Sequence, residues 1–208
     1  MKELRPLRFD PVTCRNELEE LRGMLASGTD VAERSELLPF FRRSVQLSAY
    51  IGVYSPQITH SDLVAHEYSL FGDFTCDLVV GDSRRRAYCF VEFENAAVDS
   101  IFTLRGTRHA PAWSRRFEQG FSQLVDWFWK LHDARGSTEF LHRFGATFPR
   151  VTGLLVIGRS TAMEVREQER LQWRADRVLV DSRPILCITY DQLLADLGER
   201  LASYHPVW

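Results

Sequence analysis

Two short segments carry the residues best suited to chemistry: Cys76-Asp77-Leu78-Val79-Val80 and Phe90-Val91-Glu92-Phe93-Glu94. Alternate residues of a strand share a face, so Glu92 and Glu94 point one way and Val91 and Phe93 the other. Asp77 opens the preceding strand, and a hairpin brings it beside Glu92. Three carboxylates so close repel one another, which shifts their pKa values upward. A divalent cation relieves that repulsion. Mg²⁺ typically takes one or two carboxylates and completes its shell with water and phosphate oxygens. Such an ion acidifies a bound water and stabilises charge building on phosphate, while a further carboxylate can accept the water's proton. Asp77, Glu92 and Glu94 are therefore sufficient in kind for metal-assisted phosphodiester hydrolysis, with Mg²⁺ or Mn²⁺ as the ion. Alternating glutamates on a half-exposed strand can equally just face water. Here, however, they are embedded among Tyr88, Cys89, Phe90, Val91 and Phe93, where an exposed edge strand would alternate more cleanly with polar residues.

A cationic stretch follows the acidic strand. Arg105, Arg108, His109, Arg115 and Arg116 occur with no acid between them. Such residues bind backbone phosphates through charge and hydrogen bonds without reading sequence, which makes nucleic acid the expected partner. The stretch leads into a helix expected over roughly 113–131. There Phe117, Phe121, Leu124, Phe128 and Leu131 recur at steps of four and three, an amphipathic pattern. A second stripe of Arg116, Gln123, Trp127 and Lys130 runs beside it. Gln123 is placed to orient a phosphate, a water or the carboxylates, and Lys130 extends the cationic set. Arg84-Arg85-Arg86 marks an exposed hairpin tip.

The elements that must position these groups can be read from pattern. Asp10-Pro11 caps a first helix through Leu18, Leu21, Met24 and Leu25, which Gly28 ends. Asp30 with Glu33 is expected to open a second, carrying Leu37, Leu38, Phe41 and Val45. Segments 63–71, 75–80 and 87–94 are short and apolar with turns at Gly72-Asp73 and Gly81-Asp82-Ser83, an antiparallel meander. Val151–Ile157 and Ile185–Ile188 are further strands. Thr161 with Glu164 and Thr189 with Gln192 are expected capping boxes of two more helices. Strands flanked by helices on both sides imply an α/β fold with a mixed central sheet. The expected organisation is an N-terminal helical extension over 1–30 and one domain over 31–208.

Composition sets outer limits. At 208 residues, a chain buries roughly 70% of its unfolded surface and needs no structural metal to fold. A net charge of −2 excludes a generally basic nucleic-acid coat but not a local patch. Cys14, Cys76, Cys89 and Cys187 include no CxxC pair and read as buried reduced thiols of a cytoplasmic protein. The opening Met1–Arg5 run lacks the apolar stretch of a signal peptide, and no apolar run is long enough for a membrane span. The histidines are scattered, and there is no HExxH, G-x-S-x-G or P-loop. That argues against zinc proteases, serine hydrolases and ATPases.

Taken together, Glu33–Phe41 (ERSELLPFF), Asp77–Val80, Val91–Glu94, QLVDW from Gln123, GLLVIGR from Gly153 and ITYDQLL from Ile188 carry a resemblance. Over roughly residues 30–200 the chain resembles the Shedu-type nuclease domain of bacterial anti-phage defence, a branch of the PD-(D/E)xK nuclease superfamily. The resemblance implies a PD-(D/E)xK-like sheet flanked by helices on both faces, DNA cutting or nicking, and assembly into homo-oligomers. It matches Asp77 and Glu92 to the metal-holding acids and Gln123 to a helix glutamine near the site. Glu36 is a further candidate acid. The usual lysine falls at Glu94, a departure that makes the site more acidic and leaves Glu94 as ligand or general base. Two rival readings stand beside this one. One is a nuclease fold that has lost catalysis and serves as a DNA-binding or regulatory module. The other is an interaction domain unrelated to nucleic acid.

Overall fold

The structure is a computed structural model and describes residues 3–27, 30–103 and 110–205. Among these, seven strands form one mixed sheet: β1 (Arg5–Pro6), β2 (Leu63–Leu70), β3 (Phe74–Asp82), β4 (Ala87–Phe93), β5 (Arg150–Val156), β6 (Leu179–Val180) and β7 (Arg183–Ile188). Their order is β1-β2-β3-β4-β5-β7-β6. The expected meander is present, with β2, β3 and β4 antiparallel. β5 then joins β4 in parallel, and β7 joins β5 in parallel. β4 is buried along its whole length, as a central strand covered on both faces must be.

Helices cover the two faces separately. On one side lie α1 (Pro11–Ser27), α2 (Leu38–Arg43), α3 (Val45–Tyr50) and α7 (Tyr190–Tyr204). Their Leu18, Leu21, Phe41, Leu47 and Leu193 pack with Leu78, Val80, Val91 and Phe93 of the sheet. On the other lie α4 (Arg115–Asp133), α5 (Thr138–Phe144) and α6 (Val165–Arg177). Their Phe117, Phe121, Leu124, Phe144 and Leu171 pack with Val79, Tyr88, Phe90 and Leu155. Each such side chain contributes about 1.5–3 kcal/mol when fully buried. α1 buries Cys14, Leu18, Leu21 and Leu25 in the same cluster as α7, and β1 pairs with β2, so the division expected near residue 30 is not a gap in packing. All four cysteines are buried and free. Among the described residues, no helix is long and apolar enough to cross a membrane.

Helix ends follow the local chemistry with a few differences. Asp10 accepts from Val12 N at 3.0 Å, as its place before Pro11 suggests. Ser114 accepts from Phe117 N at 3.0 Å and starts α4. Thr189 and Gln192 cap α7 reciprocally. The box opening α6 is Glu164 with Glu167, not Thr161 with Glu164, because Thr161 falls in a preceding 3₁₀ turn. The second helix does not start from Asp30 and Glu33. It opens with a wide π-type turn, Glu33–Leu37, continues as α2 and breaks at Ser44 before α3. The short α5 was not anticipated; Ser137 caps it and Gly145, at φ +65°, ends it. In the stripe of Arg116, Gln123, Trp127 and Lys130, Trp127 is buried in the core.

Candidate active site

The sheet forks at the acidic segment. β3 and β4 pair from Asp82↔Ala87 as far as Leu78↔Val91, and there the ladder stops. β2 and β3 continue together, but the Glu67–Asp77 pair is skipped between His66↔Leu78 and Tyr68↔Cys76. Glu67 has φ 50°, and side-chain alternation breaks at this point. Leu78 and Val80 enter one core layer, while Cys76 and Val79 both enter the other. Regular alternation would place Cys76 with Leu78. The irregularity frees the Asp77 carboxylate to turn toward the end of β4, where Oδ2 accepts from Phe93 N at 2.9 Å. A side chain thus replaces the missing rung of the ladder.

There Asp77 and Glu92 come close enough for each carboxyl to perturb the other. Glu92 is buried, and burial pushes its carboxyl well above the usual range, with Asp77 and Glu94 adding repulsion. Asp77 is pushed up to about 6, first by burial, against the pull of the Phe93 N–H. Glu94 is pushed up to about 7, again first by burial, with Arg116 opposing.

Glu94 is fixed at both backbone and side chain. Its N–H donates to Val156 O at 2.9 Å, and its carbonyl accepts from the buried Tyr190 hydroxyl at 2.8 Å. The Arg116 Nη1 atom lies 2.8 Å from Glu94 Oε2 and 3.6 Å from Glu33 Oε2. Gly120 lets α4 come close: a Cβ there would stand 3.2 Å from Glu94 Cγ and 2.9 Å from Leu155 Cδ1.

The sequence reading gives Glu33 a place in a helix cap and in the ERSELLPFF motif, but not among the acids of the site. The structure makes it the acid that the early helix contributes to this cleft. Its N–H donates to Asn95 Oδ1 at 2.9 Å, and Val31 bridges Ala96, so the π-type turn is tied to the chain just beyond β4. Glu36 is the corresponding correction. It is exposed and accepts from Ala32 N at 2.8 Å, so it caps its own turn and does not enter the cleft. Asn95 was also missed, although it directly follows Glu94.

The cleft encloses about 790 Å³ and is lined by Glu33, Glu92, Glu94, Asn95, Arg115, Arg116 and Gln123, among others. Asp77 does not line it and reaches it through Glu92. Arg115 and Gln123 are exposed on the α4 wall. Glu118 is held by Arg174 at 2.7 Å and is part of the scaffold. Lys130 does not line the cleft. It lies two turns past Gln123 on α4 and pairs with Asp73 at 2.5 Å and Asp133 at 3.3 Å. Arg105, Arg108 and His109 lie outside the described residues.

The GLLVIGR and ITYDQLL segments support the site from behind. Arg159 pairs with Asp191 at 3.0 Å and donates to Leu25 O at 3.0 Å, joining the ends of β5, α7 and α1. Among the described residues, no three of His, Cys, Asp and Glu form a ready-made metal cluster. The donor set nevertheless fits a hard divalent ion. Asp77 and Glu92 are carboxylate oxygen donors whose pKa values are raised first by burial, and Mg²⁺ asks for only one or two such groups.

A comparison with curated proteins finds no match. A family model described as Shedu protein SduA, C-terminal, matches residues 31–194, which takes in the fork, the π-type turn, α4 and the start of α7. The chain therefore belongs to the Shedu SduA C-terminal family, a family of anti-phage defence nucleases.

Proposed function

We propose that this protein is a divalent-metal-dependent endonuclease that cuts or nicks DNA in bacterial anti-phage defence. The observation that carries this reading is the half-buried Asp77 beside the buried Glu92, with Glu94 and Glu33 crowded against them and Arg116 as the close cation. Asp77 and Glu92 would hold Mg²⁺ or Mn²⁺. When bound, that ion supplies an acidified water and neutralises charge on the phosphate. Glu94, on the cleft wall and fixed by Tyr190 and Arg116, is the acceptor for the attacking water's proton. Arg116 supplies positive charge where the superfamily's lysine is replaced by Glu94. Arg115 meets the DNA backbone at the cleft mouth; Arg105, Arg108 and His109, which lie outside the described residues, are further phosphate contacts by their charge. Gln123 orients phosphate or water from the α4 wall. A cytoplasmic location fits the four free buried thiols. The family resemblance adds assembly into homo-oligomers, which light scattering on the purified protein measures.

The test uses supercoiled plasmid with Mg²⁺ or Mn²⁺ and compares wild type with Asp77→Ala and Glu92→Gln. Metal-dependent nicking that both variants lose supports the reading. Nicking equal in all three proteins, or none in any metal, refutes it. A second reading, a nuclease fold serving as a non-catalytic DNA-binding module, draws on the closed Glu33–Arg116–Glu94 pairing. It predicts DNA binding without cleavage.

A further inference from the structure

A second groove lies at the opposite end of the sheet, where β5 and β7 begin. It has a volume of about 580 Å³, within the range of small-molecule sites. Arg150, on its wall, pairs in register with Ala87 at the start of β4, whereas the acidic cleft lies past the end of β4. Seven residues of strand separate the two, about 20 Å at roughly 3.3 Å per residue.

Its chemistry is the reverse of the cleft's. Among the described residues that line it are Arg150 and Arg183 and no Asp or Glu. Neither arginine forms an ion pair within 4.0 Å among the described residues. Two aromatic rings, Tyr54 and Phe148, face the same space. Phe148 is 72% exposed, an unusual position for so apolar a ring, and the Arg135 guanidinium stacks on it at 4.9 Å. The Tyr54 hydroxyl donates to Asp196 at 2.8 Å, which fixes that ring from behind. Pro56, Pro149 and Pro184 stiffen the walls, so little ordering remains for a ligand to impose. The tight β6–β7 turn, with Asp181 at φ 49° and Ser182 at φ 60°, sets Ser182 and Arg183 at the rim.

We propose that this groove binds a nucleotide unit, with phosphate on Arg150 and Arg183 and the base against Phe148 and Tyr54. Unpaired guanidinium groups recognise phosphate, and exposed aromatic faces stack bases of any sequence. The unit can come from a free nucleotide or from a single strand. The absence of lining acids makes the binding independent of divalent ions.

The experiment is calorimetric titration of the full chain in EDTA with ATP, with adenosine and with a short 5′-phosphorylated dA oligonucleotide. ATP, the oligonucleotide or both should bind; ATP binding identifies a free nucleotide, and binding of the oligonucleotide alone identifies a strand. Where ATP binds, adenosine should bind at least tenfold more weakly. The Arg150→Glu/Arg183→Glu double variant should lose at least tenfold in affinity and Phe148→Ala several-fold. Both are checked for an unchanged circular dichroism spectrum, and Phe148→Ala at an exposed site keeps the test open if the double variant unfolds. Asp77→Asn should leave binding intact, which separates this site from the acidic cleft. No binding of either phosphate-bearing probe, binding indifferent to Arg150, Arg183 and Phe148, or loss of binding in Asp77→Asn overturns the proposal.

Discussion

Replacing Asp77 with Asn should stabilise the metal-free protein at alkaline pH while removing its activity. Asn keeps an oxygen that can accept from Phe93 N, so the rung closed at 2.9 Å survives. What the substitution removes is a carboxyl whose pKa stands at about 6 in the fold against 3.8 in the unfolded chain. A raised carboxyl contributes stability that is full below the unfolded value and lost as pH rises through the folded one. Above about 6, wild type therefore carries a destabilisation that Asn does not. At 1.36 kcal/mol per pKa unit, the elevation corresponds to about 3 kcal/mol near pH 8, approaching zero below pH 4. For a domain of this size, roughly 2–4 °C per kcal/mol turns this into a Tm gain of about 6–12 °C. The assay is thermal unfolding of both proteins in EDTA at several pH values. A gain near pH 8 that fades toward pH 4 supports the crowded-acid account. A variant destabilised equally at every pH would show that Asp77 serves only as a backbone cap.

Three further substitutions probe the supports. Arg116→Ala removes the cation between Glu33 and Glu94; because the arginine is 42% exposed, about 1 kcal/mol of stability should be lost, while plasmid nicking rates should fall at least tenfold. Gly120→Ala places a methyl 3.2 Å from Glu94 Cγ; its overpacking cost of about 1–3 kcal/mol is partly offset by roughly 1 kcal/mol of helix propensity, so nicking should drop far more than Tm. Tyr190→Phe leaves the Glu94 carbonyl without its 2.8 Å donor, and urea unfolding should show a loss of about 1–3 kcal/mol.

The parts legible in sequence were those with an unbroken period. The meander, the Phe117–Leu131 stripe of α4 and the Thr189–Gln192 cap follow from alternation, helical spacing and capping chemistry, and the structure reproduces them. The same alternation placed Glu92 and Glu94 together. What the pattern hid lies where the period breaks. Asp77 is turned by an irregularity shared with Glu67, which no spacing rule on either strand reveals. Glu33 enters the cleft from a π-type turn, whose extra residue shifts side chains around the helix in a way that α-helical spacing does not reveal. Sequence does not say how wide the buried face of a helix is, so the second stripe on α4 mixes core and surface positions. Trp127 packs into the core, and Lys130 finds Asp73, a partner remote in sequence. The Ser137 cap and the Gly145 stop of α5 were visible in principle, but seven residues are too few for a periodic signal.

The most direct test of the central claim, that Asp77 and Glu92 hold a divalent ion, is calorimetric titration of Mn²⁺ into wild type, Asp77→Asn and Glu92→Gln near pH 8, without DNA. The account predicts a site in wild type that either substitution weakens by at least tenfold and that weakens in wild type as pH falls below about 6, where protons reoccupy Asp77. Equal Mn²⁺ affinity and stoichiometry in all three proteins would contradict it.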